Sequence, residues 1–290
     1  MHLKNLNKML NRFYTLNASC PDQVGIIAKV TAFFARHGGW ILSSHFFSDN
    51  SRYFMRLEIK ADFMDLPTLQ TLFDQFVARD LKMQWQIFDS KVKKRALILV
   101  SKQEHCLYDL FSRWRTGDLN IDIVGVISNH NIFKDFVEWH GVHFYYIPVN
   151  KNDKDSAFSQ MKNIVLELKG DTIVLARYMQ ILNADFCETF SGKIINIHHS
   201  FLPSFVGAKP YHQAFQAGVK LIGATCHYVT KELDAGPIIE QDIIRVDHSQ
   251  KIDDLIRLGK DIEKNVLARG LQYHIENRIL IANNKTIVFK

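Results

Sequence analysis

Three side chains of this sequence have types and a spacing that suit acyl-group chemistry. Asn196 and His198 lie two residues apart at the end of an apolar, β-branched run. Side chains at positions i and i+2 of an extended strand point to the same side, so this amide and this imidazole are predicted to project together. Asp234 follows 36 positions after His198, in a turn-rich segment that can close over them. An amide, an imidazole and a carboxylate together can polarise a carbonyl, move a proton and position a nucleophile.

Each of these residues also has a purely structural interpretation. An Asn-x-His pair at a strand end can stabilise the following turn, and Asp234 can form an Asx turn before Gly236 and Pro237. Cys226, within a predicted buried strand, is interpreted as a small core residue rather than as a nucleophile. The Phe-Leu-Pro sequence after Ser200 and the Asp-Ala-Gly-Pro segment together favour the chemical interpretation.

The composition limits the classes of protein that this chain can belong to. Its 290 residues favour two domains, and 47% hydrophobic with 23% charged residues is typical of a soluble protein. No apolar run has the length of a membrane span, and the N-terminus lacks the apolar core of a secretory signal. The four cysteines are far apart in sequence, so neither a zinc site nor a disulfide framework is predicted, and reduced thiols favour the cytoplasm. The charge of +6 is dispersed, which does not indicate a nucleic-acid partner.

The first 91 residues are predicted to form one small domain. Strands are predicted near 13–18, 40–47, 53–59 and 81–87, with helices over 22–36 and 66–78. The first helix is expected to bury Ile27, Val30 and Phe34, and the second Leu69, Phe73 and Phe76. The order βαββαβ is that of a ferredoxin-like sandwich.

From residue 92 to 290 the pattern changes to apolar strands that alternate with helices. Near-continuous apolar runs at 96–100, 121–127, 143–149, 172–176 and 194–197 predict a mostly parallel sheet covered on both faces. Further strands are predicted at 221–229 and 237–246, a long helix at 252–275, and a terminal hairpin that turns at Asn283 and Asn284. The chain is therefore of the α/β class, with a Rossmann-like second domain.

The motif around Asn196 resembles a known family. Asn196-Ile-His198, with Ser200-Phe-Leu-Pro203 and Asp234, is similar to the 10-formyltetrahydrofolate-dependent formyltransferases. In that family the matching asparagine, histidine and aspartate are the catalytic residues. The segment Ala176–Leu182 resembles the family's folate-binding loop, which implies that Met179, Gln180 and Leu182 contact the folate. No metal is expected, because no set of ligands at zinc-like spacing is evident. No cofactor is implied, because the folate is the substrate.

Several segments resemble formyltetrahydrofolate deformylases in particular. His199 stands where the transferases usually carry proline, and Gly207–Ala214 and Glu263–Leu267 are similar to deformylase sequences. The N-terminal segment Cys20–Ala28 resembles the opening of an ACT domain. An ACT domain followed by a formyltransferase-like domain is the deformylase arrangement, and the likeness then covers nearly the whole chain. His227 is expected to support the catalytic residues. For His199 three interpretations stay open: it supports the catalytic residues, it fills space, or it excludes an acceptor substrate.

The segment after the first strand of the second domain favours water as the acceptor. A ribonucleotide-using transferase needs a phosphate-binding loop there, usually rich in glycine. This chain has Ser101-Lys-Gln-Glu-His-Cys106, which contains no glycine and one carboxylate. The resemblance thus implies hydrolysis of 10-formyltetrahydrofolate to formate and tetrahydrofolate, which supplies formate for purine synthesis and balances the folate pool. Two alternatives stay open: formyl transfer to an amine, and a non-catalytic folate-sensing protein.

The ACT-like domain carries two further expectations. An amino-acid effector is expected near Asp22, Gly25 and Ile26, although Trp40 stands where effector-binding ACT domains often have asparagine. The exposed strand edges of such a domain need to be covered, so the chain is expected to form a homo-oligomer.

Overall fold

The computed structural model describes residues 12–62, 64–150, 153–204 and 210–290. The chain divides into two compact units. The first contains residues up to Lys93 together with Asn277–Leu280 and Ile287–Lys290, and the second contains Lys94–Glu276 and Ile281–Thr286. The N-terminus that lacks the features of a secretory signal, and the 207–209 part of the deformylase-like motif, lie outside the described residues.

The first unit has the predicted order of strands and helices. In chain order it contains β1 (Phe13–Pro21), α1 (Ile26–Arg36), β2 (Trp40–Ser48), β3 (Arg52–Lys60), α2 (Leu66–Phe73) and β4 (Gln84–Asp89). The strands form an antiparallel sheet in the order β2-β3-β1-β4. This order, with two helices and the βαββαβ sequence, confirms the predicted ACT-like fold.

Two predicted core residues of this unit are exposed instead. Helix α1 begins at Ile26, not at Asp22, because Gly25 precedes it with φ 91°, and Ile26 and Phe33 take the place of Ile27 in the core. Helix α2 continues as a π-helical turn over Asp74–Ala78. The wider π turn rotates Val77 into the core, so the expected Phe76 is 52% exposed.

The second unit alternates strands and helices from β5 onward. In order it contains β5 (Lys94–Val100), α3 (His105–Thr116), β6 (Ile121–Ser128), α4 (Lys134–Trp139), β7 (Phe144–Tyr146), α5 (Lys154–Glu167), β8 (Thr172–Leu175), α6 (Ala184–Thr189), β9 (Ile194–His198), α7 (Pro210–Gln216), β10 (Leu221–Tyr228), β11 (Ile238–Arg245) and α8 (Ile252–Ile275). Strands β12 (Ile279–Ala282) and β13 (Lys285–Val288) form the predicted terminal hairpin, and Asn283 turns with φ 55°.

The sheet of the second unit has the order β11-β10-β9-β8-β5-β6-β7. Strands β9, β8, β5, β6 and β7 are parallel, whereas β10 pairs antiparallel to both β9 and β11. Ala96 through Val100 are all fully buried, as expected for a strand covered on both faces.

The strand order changes direction between β5 and β8. The chain runs from β5 to β6 and β7 on one side and then returns to place β8 on the other side of β5. In open α/β sheets, ligands bind outside the carboxyl ends of the strands at such a switch point. The loops that follow β5 and β8 therefore border the expected binding site.

Among the described residues, no helix is both long and apolar enough to cross a membrane.

Candidate active site

The register of β9 and β10 brings three of the predicted polar side chains together. Asn196 pairs with His227 across the two strands, and His198 pairs with Thr225. Strand β9 ends at His198, where the chain leaves the sheet. Residues two apart on a strand face the same side, so Asn196 and His198 project together as predicted.

Asp234 meets His198 from the loop between β10 and β11. Its Oδ1 lies 3.2 Å from Nδ1 of His198 and 3.8 Å from Nε2 of His227, and its side chain is only 10% exposed. Burial raises the pKa of Asp234, but the hydrogen bond from His198 and the neighbouring imidazoles outweigh that effect, so its pKa lies below the ordinary value. The carboxylate is therefore ionised near neutral pH. Asp234 also adopts a left-handed conformation with φ 54°.

A defined tautomer of His227 fits the hydrogen bonds around Asn196. Nδ1 of His227 is 2.9 Å from the carbonyl oxygen of Tyr228, so this nitrogen carries the proton and donates it. Nε2 is then the acceptor for the amide Nδ2 of Asn196 at 3.2 Å. Burial lowers the pKa of His227, which keeps the ring neutral in this arrangement.

A cavity of about 310 Å³ opens beside these residues. Asn196, His198, His227 and Asp234 line one part of it. The loop after β8 lines another part and contributes all three predicted folate contacts, Met179, Gln180 and Leu182. Met179 is 56% exposed and Leu182 is buried, so the loop presents apolar surface both at the rim and inside the cavity. The structure thus brings together the predicted catalytic and folate-binding residues.

Ser101 anchors this loop, a role that the sequence analysis missed. Its Oγ accepts a hydrogen bond from the backbone N–H of Met179 at 2.9 Å and donates to Oδ1 of Asn129 at 2.7 Å. The backbone N–H of Ser101 donates to the carbonyl of Arg177 at 3.3 Å. A polar residue directly after a buried strand is the sequence signal that could have indicated this role.

Comparisons with known proteins agree with this geometry. Residues 94–271 match the family model described as formyl transferase. The chain is 44% identical to the formyltetrahydrofolate deformylase of Bacillus subtilis over 279 residues, which is 94% of this chain and 93% of that protein. The crystal structure of a formyltetrahydrofolate deformylase from Pseudomonas syringae pv. tomato superposes with a TM-score of 0.95 at 51% identity, covering 100% of this chain and 98% of that one.

The chain belongs to the formyltetrahydrofolate deformylase family. This result confirms the resemblance and the deformylase arrangement inferred from the sequence. A phosphoribosylglycinamide formyltransferase from Anaplasma phagocytophilum is more distant, with 29% identity and a TM-score of 0.63 over 69% of this chain and 96% of that one.

His199, the residue that suggested a deformylase rather than a transferase, lies beside the catalytic candidates. Its ring is perpendicular to that of His198, with the ring centroids 5.2 Å apart, and it lines the same cavity. Burial and the nearby Arg177 guanidinium lower the pKa of His199 to about 3. His199 is therefore neutral at physiological pH. Its buried Nδ1 has no hydrogen-bond partner among the described residues.

One group of side chains in this deformylase family member has the donor atoms for a metal ion. The potential ligand atoms of His105, Cys106 and Glu263 all lie within 4.8 Å of one another. The Glu263 carboxylate, however, already accepts hydrogen bonds from Tyr211 and His105. Burial raises the pKa of Cys106 well above its usual range, so the sulfur stays a thiol rather than a thiolate ligand. We therefore assign these groups to a hydrogen-bond network.

The expected effector residues lie at the start of α1 in the first unit. Asp22 accepts a hydrogen bond from the hydroxyl of Ser48, and Gly25 precedes the helix in the left-handed conformation. Ile26 is 2% exposed and packs in the core of this unit. Of these three residues, only Asp22 and Gly25 are exposed to an effector. The effector site stays a prediction.

Proposed function

We propose that this chain hydrolyses 10-formyltetrahydrofolate to formate and tetrahydrofolate. The observation that carries the proposal is the cavity in which an amide, an imidazole and an ionised carboxylate stand opposite the loop of Met179–Leu182. Its support is the family membership, because relatives that align over nearly the whole chain are named formyltetrahydrofolate deformylase.

Asp234 and His198 have separate tasks in the proposed reaction. Both imidazole contacts of Asp234 involve Oδ1, so we assign Oδ2 to the attacking water. Asp234 accepts one proton from this water as its oxygen adds to the formyl carbon. His198, when protonated, donates from Nδ1 to Asp234 and from Nε2 to the oxyanion that develops. Nε2 suits this task because it is buried and has no partner among the described residues.

Asn196 supplies the second donor to the oxyanion. One hydrogen of its Nδ2 is held by His227, and the other is available on the cavity side. Removal of one oxyanion donor typically lowers the rate by about 10²–10³. The tetrahedral intermediate then collapses: the C–N10 bond breaks, N10 takes the proton from Asp234, and formic acid ionises to formate.

An assay of formate release with no amine acceptor present tests the proposal. The chain is expected to produce formate and tetrahydrofolate in equal amounts. Asn196→Ala, His198→Ala and Asp234→Asn are expected to remove most of this activity while leaving the thermal melting temperature close to that of the parent. Absence of formate release by the parent would reject the hydrolase function. Formate release that survived all three substitutions would reject the proposed site.

The proposed activity also defines a place in metabolism. Formate released here is available for purine synthesis, and the tetrahydrofolate returns to the one-carbon pool. The four cysteines are free and buried, which fits a reducing compartment, so we place the reaction in the cytoplasm.

We further propose that the chain forms a homo-oligomer through strand β2. This strand lies at the edge of the four-stranded sheet and carries exposed apolar side chains, with Trp40 72% and Leu42 51% exposed. An apolar edge strand pairs readily with a second copy. Light scattering of the parent and of Leu42→Lys tests this, since the substitution is expected to shift the mass toward the monomer. A parent that is monomeric at micromolar concentration would reject the proposal.

A further inference from the structure

A buried carboxylate gathers side chains from three parts of the second unit. Glu263 of α8 is 1% exposed and lies 2.6 Å from the hydroxyl of Tyr211, 2.8 Å from Nε2 of His105 and 3.3 Å from Nε of Arg177. Burial raises the pKa of Glu263, but the hydrogen bond from His105 and the charge of Arg177 bring it below the ordinary value. We call these four residues the Glu263 cluster.

Arg177 adopts a backbone conformation that favours glycine. Its φ is 62°, a conformation that is unfavourable for a non-glycine residue. The backbone is held by Ser101, and the guanidinium is held by Glu263. Backbone strain of this kind persists where the surroundings enforce it, commonly at functional sites. Arg177 lines the cavity together with His198 and His199.

Helix α8 is shaped to receive Tyr211. Gly259 lies one helical turn before Glu263, and a Cβ atom there would be 2.1 Å from the phenol ring of Tyr211. Because Gly259 has no side chain, the phenol ring of Tyr211 can lie against the helix at this position, and its hydroxyl reaches the Glu263 carboxylate. Burial raises the pKa of Tyr211, so its hydroxyl is a proton donor to Glu263 at neutral pH.

The Glu263 cluster lies beside the reacting groups, where β5 and β8 end. His105 belongs to the segment after β5, the place where a ribonucleotide-using transferase needs a phosphate-binding loop. His199 stands between the two sets of residues, with ring centroids 5.2 Å from His198 and 6.2 Å from Tyr211. His199 and the folate-binding loop, which includes Arg177, both line the cavity.

We propose that the Glu263 cluster determines the acceptor by walling the cavity behind His199, so that water reaches the formyl carbon and a larger amine does not. This inference rests on the proposed hydrolase function. With water, oxygen adds to the formyl carbon and the C–N10 bond breaks. With an amine, nitrogen adds, loses a proton and displaces N10, which takes that proton. Neither route oxidises or reduces any group, so both nucleophiles can react at the same site once they reach the formyl carbon.

Competition between water and an added amine tests whether the Glu263 cluster keeps the amine from the formyl carbon. The parent and two variants, Arg177→Gly and Arg177→Gly/Glu263→Gln, receive 10-formyltetrahydrofolate with hydroxylamine or glycinamide. Formate and the N-formyl product are measured in the same reaction. Glycine suits the left-handed backbone at this position, and glutamine avoids an unpaired buried charge when the guanidinium is lost. We expect the ratio of N-formyl product to formate to rise about 10-fold or more in the variants, a usual size for pocket discrimination.

Two controls distinguish exclusion of the amine by the Glu263 cluster from a general loss of stability. Lys169→Gly also introduces glycine at a left-handed position, φ 50°, which is exposed and is not among the residues that line the cavity. Arg177→Lys keeps the positive charge and most of the volume. Both are expected to keep the product ratio of the parent. For Lys169→Gly the reason is that a general loss of stability does not change how the bound substrate is divided between two nucleophiles, and for Arg177→Lys it is that the charge and most of the bulk remain.

Each outcome of this competition experiment either supports or overturns the proposal. A folded variant that hydrolyses the substrate with the product ratio of the parent overturns the proposal. If neither variant folds, the parent still decides: diversion by glycinamide as efficient as by the smaller hydroxylamine would show that no wall is present. Formate release by the parent without any amine is measured separately, so a failure of the hydrolase function is distinguishable from a failure of the wall.

Discussion

The amide of Asn196 is oriented by His227 across the β9–β10 pair. Nδ2 of Asn196 lies 3.2 Å from Nε2 of His227, and the other ring nitrogen of His227 is fixed by the carbonyl of Tyr228 at 2.9 Å. Because the ring is neutral and its Nδ1 is the donor, its Nε2 can only accept. His227 therefore fixes the orientation of the amide, with its donating nitrogen directed at the ring.

Substitution of His227 is expected to act through Asn196. His227→Leu removes the acceptor and should lower kcat roughly 10-fold. This is the lower end of the range of losses seen when a residue that orients a functional group is removed. His227→Gln retains an acceptor oxygen and should lose less. Asn196→Ala removes the donor itself and should lose about 10²–10³. Steady-state kinetics checks this order, and a kcat of His227→Leu equal to that of the parent would contradict the orienting role.

Asp234→Asn isolates the charge of the carboxylate from its shape. Asparagine tolerates the left-handed conformation that Asp234 adopts at φ 54°, so the loop is expected to keep its fold. The amide cannot accept the proton of water, and loss of a general base typically lowers the rate by about 10²–10⁴. Single-turnover formate release measures the effect. Asp234→Ala adds backbone strain to the loss of charge and is the poorer test.

The stability of the chain is expected to increase with pH between about pH 4 and 6. Burial and the nearby charge of Lys94 lower the pKa of His274 to about 3 in the folded state, while an unfolded histidine titrates near pH 6.5. The unfolded chain then binds one more proton than the folded chain between these values. The contribution of His274 is complete above the unfolded pKa and decreases as pH falls, by about 1.4 kcal/mol per pH unit.

His274→Gln tests this dependence. Glutamine does not titrate but can still bond to the hydroxyls of Tyr228 and Thr172, which His274 contacts at 2.8 and 3.2 Å. Urea unfolding between pH 4 and 6 should give a slope that is smaller than that of the parent by about 1.4 kcal/mol per pH unit. His248→Gln, the same exchange at an exposed histidine, controls for the substitution itself. Equal slopes for the parent and His274→Gln would refute the assignment.

The fold was predictable wherever one pattern governed a whole element. The long amphipathic pattern predicted the helix Ile252–Ile275, and the βαββαβ order predicted the four-stranded sheet. The errors occurred where one or two residues change the local geometry. The π turn after Phe73 exposes Phe76, and Gly25 delays the start of the first helix, so Ile27 faces solvent. Both effects depend on packing that hydrophobic periodicity does not report.

The predicted site residues were those that share one strand or one motif. Asn196 and His198 follow from strand periodicity, and Asp234 from the resemblance. Residues that converge from distant segments were missed: Glu263 lies 158 positions from its partner His105, and only the fold brings them together. Arg177 was part of the quoted folate-loop segment, but its left-handed backbone and its ion pair with Glu263 have no signature in sequence.

Ser101→Ala is expected to weaken folate binding more than it slows the chemical step. The substitution removes the acceptor of the Met179 N–H, and a hydrogen bond of this kind contributes about 0.5–1.5 kcal/mol. Its loss loosens the loop that lines the cavity, so the dissociation constant of tetrahydrofolate should rise by up to about 10-fold, as 1.4 kcal/mol would give. Titration by intrinsic fluorescence measures binding directly. Ser128→Ala is the matched control, because Ser128 is also buried, at the end of neighbouring β6, and its Oγ accepts a hydrogen bond from the N–H of His130 within its own turn at 3.1 Å. A similar loss of affinity in both variants would mean that Ser101 stabilises the sheet in general rather than the folate-binding loop.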